Sequence, residues 1–254
     1  MKSIFHSLCI SFSMYSVFPV PKADWDRVNM KYVMVFFPLV GVVIGAFVSL
    51  FARFAPSLGI SSLLTSALMA FLPIFLSGGI HMDGFIDTMD ALGSNGDAEK
   101  RLKILKDPNS GAFGVLGAVL YALLFFAVFF EYLQKGGHFA AFPLIFALSR
   151  SASAFLVVKG KAARNSGLLH LFGSSADKKF SLFGIVLVTA AVLAFGTVFE
   201  PVFTLVAAIF TAVFTAIYYV RMTKLFSGLT GDLTGALTSV LELCLVLILA
   251  VFEV

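Results

Sequence analysis

Three aspartates and a histidine fall within the short stretch from His81 to Asp90. Asp83, Asp87 and Asp90 are spaced i, i+4 and i+7, which places their carboxylates on one face of a helix. Negative charges about 6 Å apart repel one another unless a cation holds them together. Carboxylate oxygens with no cysteine nearby favour Mg²⁺ or Mn²⁺ over zinc. The stretch predicts a divalent-metal site, and a solvated acidic helix face is the simpler alternative.

Residues near this cluster could take part in the same chemistry. His81, as a neutral imidazole, could accept a proton from an attacking hydroxyl or, when protonated, contact a phosphate; a structural histidine is the alternative. Asp107 precedes glycines that would let the backbone approach a phosphorylated ligand closely, and a plain turn is its alternative. Arg101 and Lys106 could bind phosphate beside the metal or anchor their loop to anionic lipid.

Charged residues in apolar surroundings form a second group of candidates. Arg150 lies inside an apolar run, so it needs either an acid within the bundle, such as Glu242, or a substrate phosphate. Lys161 and Arg164 belong to a basic loop that could bind substrate or serve only to orient the chain in the membrane. Asp232 stands among three glycines at the start of an apolar segment, where it could touch a ligand or metal or simply cap a helix.

The composition shows what kind of scaffold must position these residues. Of 254 residues, 59% are hydrophobic and only 13% are charged, which is typical of an integral membrane protein. About 20 apolar residues are needed to cross roughly 30 Å of hydrocarbon. The sequence therefore predicts a single all-α domain over 1–254, with an N-terminal interfacial or re-entrant helix and about seven membrane spans, at 34–52, 60–78, 112–130, 139–158, 181–199, 202–220 and 234–252.

The distribution of Lys and Arg predicts how these spans are oriented. From the N-terminus onward, the successive segments outside the spans contain 4, 1, 4, 1, 5, 0, 2 and 0 Lys and Arg residues, and Arg150 lies inside a span. Segments rich and poor in basic residues therefore alternate. By the positive-inside rule, the N-terminus and the loops 79–111, 159–180 and 221–233 are cytoplasmic, and the C-terminus lies outside. The same alternation argues against a nucleic-acid partner. Every candidate motif in a loop is therefore predicted on one side of the membrane.

Several of these motifs together carry a resemblance to a known family. The first motif runs from Gly78 through the aspartate cluster, and the second is Lys106-Asp107 with Gly111-Ala-Phe-Gly114. The other two are Ala163-Arg164 with Gly167, and Thr230-Gly231-Asp232 with Gly235-Ala236. In these residues the chain resembles the cobalamin synthase family, the adenosylcobinamide-GDP ribazoletransferases. The resemblance extends over nearly the whole sequence, and the His-x-Asp-Gly-x-x-Asp-x-x-Asp stretch followed by Lys-Asp is its most specific part.

The resemblance implies a Mg²⁺-dependent enzyme of the bacterial or archaeal inner membrane with a cytoplasmic active site. Such an enzyme joins adenosylcobinamide-GDP to α-ribazole, or its 5′-phosphate, and gives adenosylcobalamin, or its 5′-phosphate, and GMP. It implies His81 and Asp83 as catalytic residues. The implied metal ligands are Asp83, Asp87, Asp90 and Asp107. The implied substrate contacts are Arg101, Lys106, Arg150, Lys161, Arg164 and Asp232.

Other classes of membrane protein also fit parts of the pattern. A CDP-alcohol phosphotransferase uses a similar aspartate array, but its Asp-Gly-x-x-Ala-Arg arrangement is absent because Gly84-Phe-Ile is followed by Asp87-Thr. An ion-coupled transporter commonly shows repeats and a binding site near the bilayer midplane, whereas these acids concentrate at one interface. A membrane scaffold would not need the acids. The sequence leaves the oligomeric state open.

Overall fold

The computed structural model describes residues 2–26, 28–137 and 139–252, and the described part of the chain is built from helices alone. The helices are α1 (Lys2–Tyr15), α2 (Val33–Phe54), α3 (Ser62–Leu76), α4 (Ile80–Gly93), α5 (Ala98–Ile104), α6 (Ala112–Gln134), α7 (Phe142–Lys159), α8 (Leu168–Ser175), α9 (Lys178–Phe199), α10 (Pro201–Phe226) and α11 (Gly231–Phe252). The prediction of an all-α membrane bundle is confirmed.

Six helices of the described chain are long and apolar enough to cross a membrane, namely α2, α6, α7, α9, α10 and α11. The remaining one of the seven predicted spans, 60–78, is not a straight membrane-crossing helix. Helix α3 has only 15 residues, about 22 Å of helix, and α4 leaves it at an angle of 93°. The pair forms one bent element, a broken span or a re-entrant loop, instead of a straight crossing.

Two glycines cause this bend. Gly78 and Gly79 have φ values of 65° and 75°, in the left-handed region that residues with a Cβ rarely adopt. Their amides donate to the carbonyl oxygens of Phe75 and Ile74, which ends α3 before α4 begins. The bend turns the aspartate helix away from the direction of α3, and the first residues of α4 meet the start of α11.

Helix α7 is the centre of the bundle, with 89% of its apolar window buried. It packs closely on α2, where a Cβ at Gly41 or Gly45 would overlap the backbone of Phe146 or Phe142. Helix α9 is only 17% buried and carries exposed apolar side chains such as Phe183 and Val198. Such a surface suits contact with lipid.

The N-terminal helix predicted from the sequence is α1, which packs against α2 through Ile10 and Tyr15. Its 14 residues give about 21 Å of helix, too short for a crossing of roughly 30 Å. A short helix, α5, follows the aspartates, and the Asp97 carboxylate at its start accepts the amide of Lys100 at 2.9 Å. The depth of α1 in the membrane stays a prediction.

Candidate active site

A pocket of about 190 Å³ opens at the end of the bundle where α4 and α11 begin. It draws residues from the N-terminal segment, the 79–111 region, the 159–180 region and the 221–233 region, for example Tyr15, Asp83, Arg164 and Thr230. The pocket therefore brings residues of these four regions together, and their common side of the membrane stays a prediction. The identification of that side as cytoplasmic stays a prediction.

The crossing of α4 and α11 brings acids of the two helices together. Gly84 makes this possible, because a Cβ there would lie 2.7 Å from the backbone oxygen of Asp232. Gly235 of α11 faces the backbone of His81 in the same way, at 3.4 Å. The negative charge of half-buried Asp87 is consequently opposed by those of Asp83, Asp232 and Asp90. Asp232, which lies far along the chain at the start of α11, thus joins the predicted cluster.

We expect Gly84→Ala to lower kcat by about tenfold, because α4 and α11 must separate and small misplacements of catalytic groups are costly. Overpacking should also lower the free energy of unfolding by about 1–3 kcal/mol. Turnover and thermal unfolding in detergent measure the two effects. Gly196→Ala is the matched control, since it overpacks α9 against Thr204 at the other end of the bundle. Equal turnover of both variants would contradict this role of the crossing.

The chemistry of the acids fits a bound Mg²⁺ ion. Within the described ranges, neither Asp83 nor Asp87 forms an ion pair or a side-chain hydrogen bond. Among the described residues, no group of three or more His, Cys, Asp or Glu side chains is arranged to hold a metal ion. Mg²⁺ usually needs only one or two carboxylates, with water and substrate phosphate completing its shell. Asp83 and Asp87, with Asp232 beside them, are the best-placed donors.

Asp90 has a different environment from the other two aspartates of α4. Its carboxylate accepts the amides of Gly111 at 2.6 Å and Gly114 at 2.7 Å, at the start of α6. A Cβ on either glycine would collide with that carboxylate, which explains the Gly-x-x-Gly spacing. A negative charge at this position also interacts favourably with the N-terminus of α6. The structure therefore favours Asp90 as a cap that ties α4 to α6, and its metal contact stays a prediction.

Substitution of Asp90 separates these two roles. We expect Asp90→Ala to lower the free energy of unfolding by roughly 1.5–3 kcal/mol, the usual range for lost hydrogen bonds to a charged group. Asp90→Asn keeps one acceptor oxygen and should fall between Ala and the wild type in stability while retaining most turnover. Thermal unfolding in detergent and turnover at a temperature where each variant is folded measure this. Wild-type stability combined with abolished turnover in Asp90→Asn would instead indicate a metal ligand.

The predicted residues after α5 lie outside the pocket. Asp107 is exposed, and its carboxylate accepts the backbone amide and the side-chain amide of Asn109, which hold the pKa of Asp107 below its ordinary value. This is the turn given above as its alternative, and the structure does not bring Asp107 to the aspartates of α4. Lys106 is exposed and Arg101 half-buried, and neither lines the pocket. Their phosphate contacts stay predictions.

Arg150 is paired inside the bundle. Its guanidinium is fully buried on α7 and donates to the carboxylate of Glu242 on α11, which also interacts with the hydroxyl of Ser149 at 3.4 Å. This is the first of the two alternatives drawn from the sequence. Arg150 does not line the pocket, and its substrate contact stays a prediction.

Arg164 is the predicted basic residue that does reach the pocket. Leu229 donates to the carbonyl oxygen of Lys161 at 2.8 Å and accepts the amide of Ala163 at 2.9 Å, so the basic loop is fastened to the segment before α11. This places Arg164 Nη2 3.8 Å from Asp232 Oδ2. Arg164 Nη1 is buried and has no hydrogen-bond partner in the described chain. The side chain of Lys161 is exposed and does not line the pocket.

His81 is buried at the wall of the pocket, with its ring against those of Tyr15 and Phe37. Its Nε2 atom has no hydrogen-bond partner among the residues that the structure describes. Tyr15, Phe172 and His170 also line the pocket, although sequence reasoning missed them. Nothing in their spacing could have identified them, because they come from α1 and α8, which meet only in the folded bundle.

Within the described residues, an all-helical fold with six or seven apolar spans is typical of a polytopic membrane protein, and its pocket carries two acids and an arginine. A profile of the cobalamin-5-phosphate synthase family matches residues 7–250, so the chain belongs to that family. It is an enzyme of cobalamin synthesis, as its named relatives are.

Three relatives show how closely the chain follows the family. All three are named adenosylcobinamide-GDP ribazoletransferase. The chain is 41% identical to that of Lachnoclostridium phytofermentans over 72% of its own length and 69% of the relative's. It is 34% identical to that of Clostridium perfringens strain 13, over 77% of its own length and 78% of the relative's. It is 31% identical to that of Geobacillus kaustophilus, over 78% of its own length and 77% of the relative's. No solved structure shows a significant match to the chain.

Proposed function

We propose that this enzyme transfers the phosphocobinamide group of adenosylcobinamide-GDP to a hydroxyl of α-ribazole or its 5′-phosphate. The hydroxyl oxygen forms a bond to the phosphorus next to cobinamide, the diphosphate bond breaks, and GMP leaves with the bridging oxygen. The products are adenosylcobalamin, or its 5′-phosphate, and GMP. The observation that carries this proposal is the meeting of Asp83, Arg164 and Asp232 at one pocket.

The polar residues of the pocket have complementary tasks in such a reaction. Arg164 offers a buried, unpartnered Nη1 and a planar guanidinium, which suits the oxygens of a diphosphate. Asp232 lies beside Arg164 and would orient it. Asp83 and Asp87 would hold Mg²⁺, which supplies positive charge that stabilises the transferring phosphoryl group and the leaving GMP. The substrate would thus be bound by residues of α4, α11 and the basic loop that contains Arg164.

His81 is our candidate for the group that receives the proton of the attacking hydroxyl. Its Nε2 atom is unpartnered in the described chain, and its ring packs against the rings of Tyr15 and Phe37, which also contact each other. An imidazole in its neutral form can accept the proton as the new bond to phosphorus forms. The apolar surroundings of the ring exclude water, which strengthens electrostatic interactions within the pocket.

We further propose that the pocket faces the cytoplasm of a bacterial or archaeal cell across its inner membrane. The segments that line the pocket carry most of the basic residues in the connections between the spans. Lipid would then surround the apolar surfaces of the spans. A protease-accessibility assay on inside-out and right-side-out vesicles tests this, with cleavage in the 159–167 loop expected only in inside-out vesicles.

The transfer reaction is tested with the purified protein in lipid, supplied with adenosylcobinamide-GDP and α-ribazole. We expect GMP and a cobalamin product in equal amounts when Mg²⁺ is present. Chelation of the metal should stop both, and added Mg²⁺ should restore them. Product formation that survives chelation would contradict the metal proposal. Folded protein that forms neither product with α-ribazole nor with its 5′-phosphate would contradict the transfer itself.

A further inference from the structure

A groove in the side of the bundle lies between α7, α9 and α10 and shares no lining residue with the pocket at the bundle's end. This lateral groove holds about 620 Å³, and its lining includes Leu148 and Leu156 of α7, Ile185 and Leu193 of α9, and Ala208 and Tyr219 of α10. We propose that the lateral groove binds an anionic phospholipid, with one acyl chain along the groove and the headgroup at lysines that continue its walls. This lipid site is independent of the proposed transferase function.

The length of the lateral groove matches one leaflet of a bilayer. Its wall on α7 extends from Leu156 to Leu148, about 12 Å of helix, and its wall on α10 extends from Tyr219 to Ala208, about 16 Å. The hydrocarbon core of a bilayer is roughly 30 Å thick, so the groove covers about half of it. Its volume lies within the range of about 300–1,000 Å³ that is usual for ligand cavities. An acyl chain of the leaflet on the pocket's side therefore fits its length.

The surface of the lateral groove suits hydrocarbon, because most of its hydroxyl groups have partners within the bundle. The Thr189 hydroxyl donates to the carbonyl oxygen of Ile185 at 2.7 Å and lies 2.9 Å from the hydroxyl of Ser151. The Thr215 hydroxyl donates to the carbonyl oxygen of Thr211 at 2.6 Å. Thr211 is the exception, since its buried Oγ1 atom has no partner in the described part of the chain. A polar ligand would therefore find few hydrogen-bonding groups here.

Small side chains leave the lateral groove unfilled by the protein itself. Ala208, Ala212 and Ala216 follow one another at every fourth residue along the wall of α10, and Ala190 lies on the wall of α9. Ala190, Ala212 and Ala216 are exposed, so the groove is open at a surface that faces lipid. Unfilled space in hydrocarbon forfeits dispersion contacts, and a lipid chain is the material at hand to restore them.

Three lysines continue the walls of the lateral groove at the end of the bundle that holds the pocket. Lys159 lies one turn beyond Leu156 on α7, and Lys178 and Lys179 lie about two turns before Ile185 on α9. Spacings of three and seven residues keep side chains on the same face of a helix. All three lysines are exposed, and none forms an ion pair with another described residue. Their charges therefore stand where a headgroup would lie.

The positive charge at the start of α9 favours an anionic headgroup. Cations are unfavourable at a helix N-terminus, yet Lys178 and Lys179 occupy the first turn of α9, which contains no acid. Asp177, which caps this helix, pairs with Lys31 at 3.3 Å. A phosphate group suits such a helix end, and lysines near the membrane surface attract anionic lipids. A headgroup with a net negative charge compensates these lysines better than a zwitterionic one.

Native mass spectrometry of the protein in mild detergent tests the proposal, because it counts both bound lipids and chains. From an equimolar mixture, we expect phosphatidylglycerol to be retained at least about fivefold better than phosphatidylcholine, and Lys179→Gln to lower this preference by about fivefold. Ala212→Phe and Ala190→Phe, which fill the groove from two different walls, should each lose the retained lipid. Ala122→Phe is the matched control, since this exposed alanine of α6 lies outside the groove.

Three results would overturn the proposal. The first is equal lipid retention by Ala212→Phe and Ala122→Phe, and the second is equal retention of the two lipids by the wild type. The third is a change from dimer to monomer in Ala212→Phe with unchanged lipid, because a second copy of the chain would then fill the groove. Thermal unfolding of the delipidated wild type avoids any folding defect of the variants. Added phosphatidylglycerol should raise its unfolding temperature more than phosphatidylcholine does, and equal shifts would likewise contradict the proposal.

Discussion

Asp83→Asn and Asp87→Asn are each expected to lower the rate of GMP release by about 100- to 1000-fold, the range seen when a group that stabilises transition-state charge is removed. The same substitutions should leave the thermal stability unchanged or raise it. This follows because Asp83, Asp90 and Asp232 all oppose the charge of Asp87, so a neutral amide relieves repulsion. Lost activity together with gained stability is typical of a binding site whose like charges repel one another until a cation binds.

Two measurements check this expectation. The first is GMP release in lipid, and the second is thermal unfolding with and without Mg²⁺, which should stabilise the wild type but not the variants. Glu131→Gln is the control, since this exposed acid pairs with Lys135 on the surface, at the end of α6 away from the pocket. Near-normal turnover of both aspartate variants would refute the assignment of the metal to α4.

Arg150→Met and Glu242→Leu are each expected to lower the free energy of unfolding by about 3–5 kcal/mol. Both side chains are buried in the bundle, and removal of one leaves the other charged and unpaired in an apolar region. The double variant replaces the ion pair by apolar groups, so it should recover most of the lost stability. Chemical unfolding in detergent of the two single variants and the double variant measures this coupling.

The double variant also separates the two roles considered for Arg150. If Arg150 serves only to pair with Glu242, the refolded double variant should bind adenosylcobinamide-GDP with nearly the wild-type KM. Additive losses of stability would show that the two residues are not coupled. A stable double variant with a strongly raised KM for the donor would restore the substrate contact predicted from the sequence.

The sequence predicts those features that depend on local pattern. Apolar runs locate six spans, the i, i+4, i+7 spacing locates the acids of α4, and Asp97 marks the start of α5. The basic loops predict that the motifs gather at one side, and residues from four of these segments do meet at the pocket. Each of these depends on residues close together in the chain or on a summed property such as charge, which is why no folded structure is needed to recognise them.

Tertiary contacts account for what the sequence leaves out. The turn of 93° between α3 and α4 depends on two consecutive glycines in left-handed conformation, whereas hydropathy alone counts the segment as a span. The capping of α6 by Asp90 joins residues more than twenty positions apart, and without it the acid looks identical to Asp83 and Asp87. The aromatic rings of the pocket, from Tyr15, Phe37 and Phe172, likewise come from α1, α2 and α8, so no single segment reveals them.

The most direct test of this account is a crystal structure of the protein in a lipidic phase with Mn²⁺ in place of Mg²⁺ and adenosylcobinamide-GDP bound. The anomalous signal of Mn²⁺ should lie beside Asp83 and Asp87, with the diphosphate within hydrogen-bond distance of Arg164 and the corrin outside the pocket. A metal peak at Asp107, with the diphosphate held by Lys106 and Arg101 and the pocket empty, would contradict it.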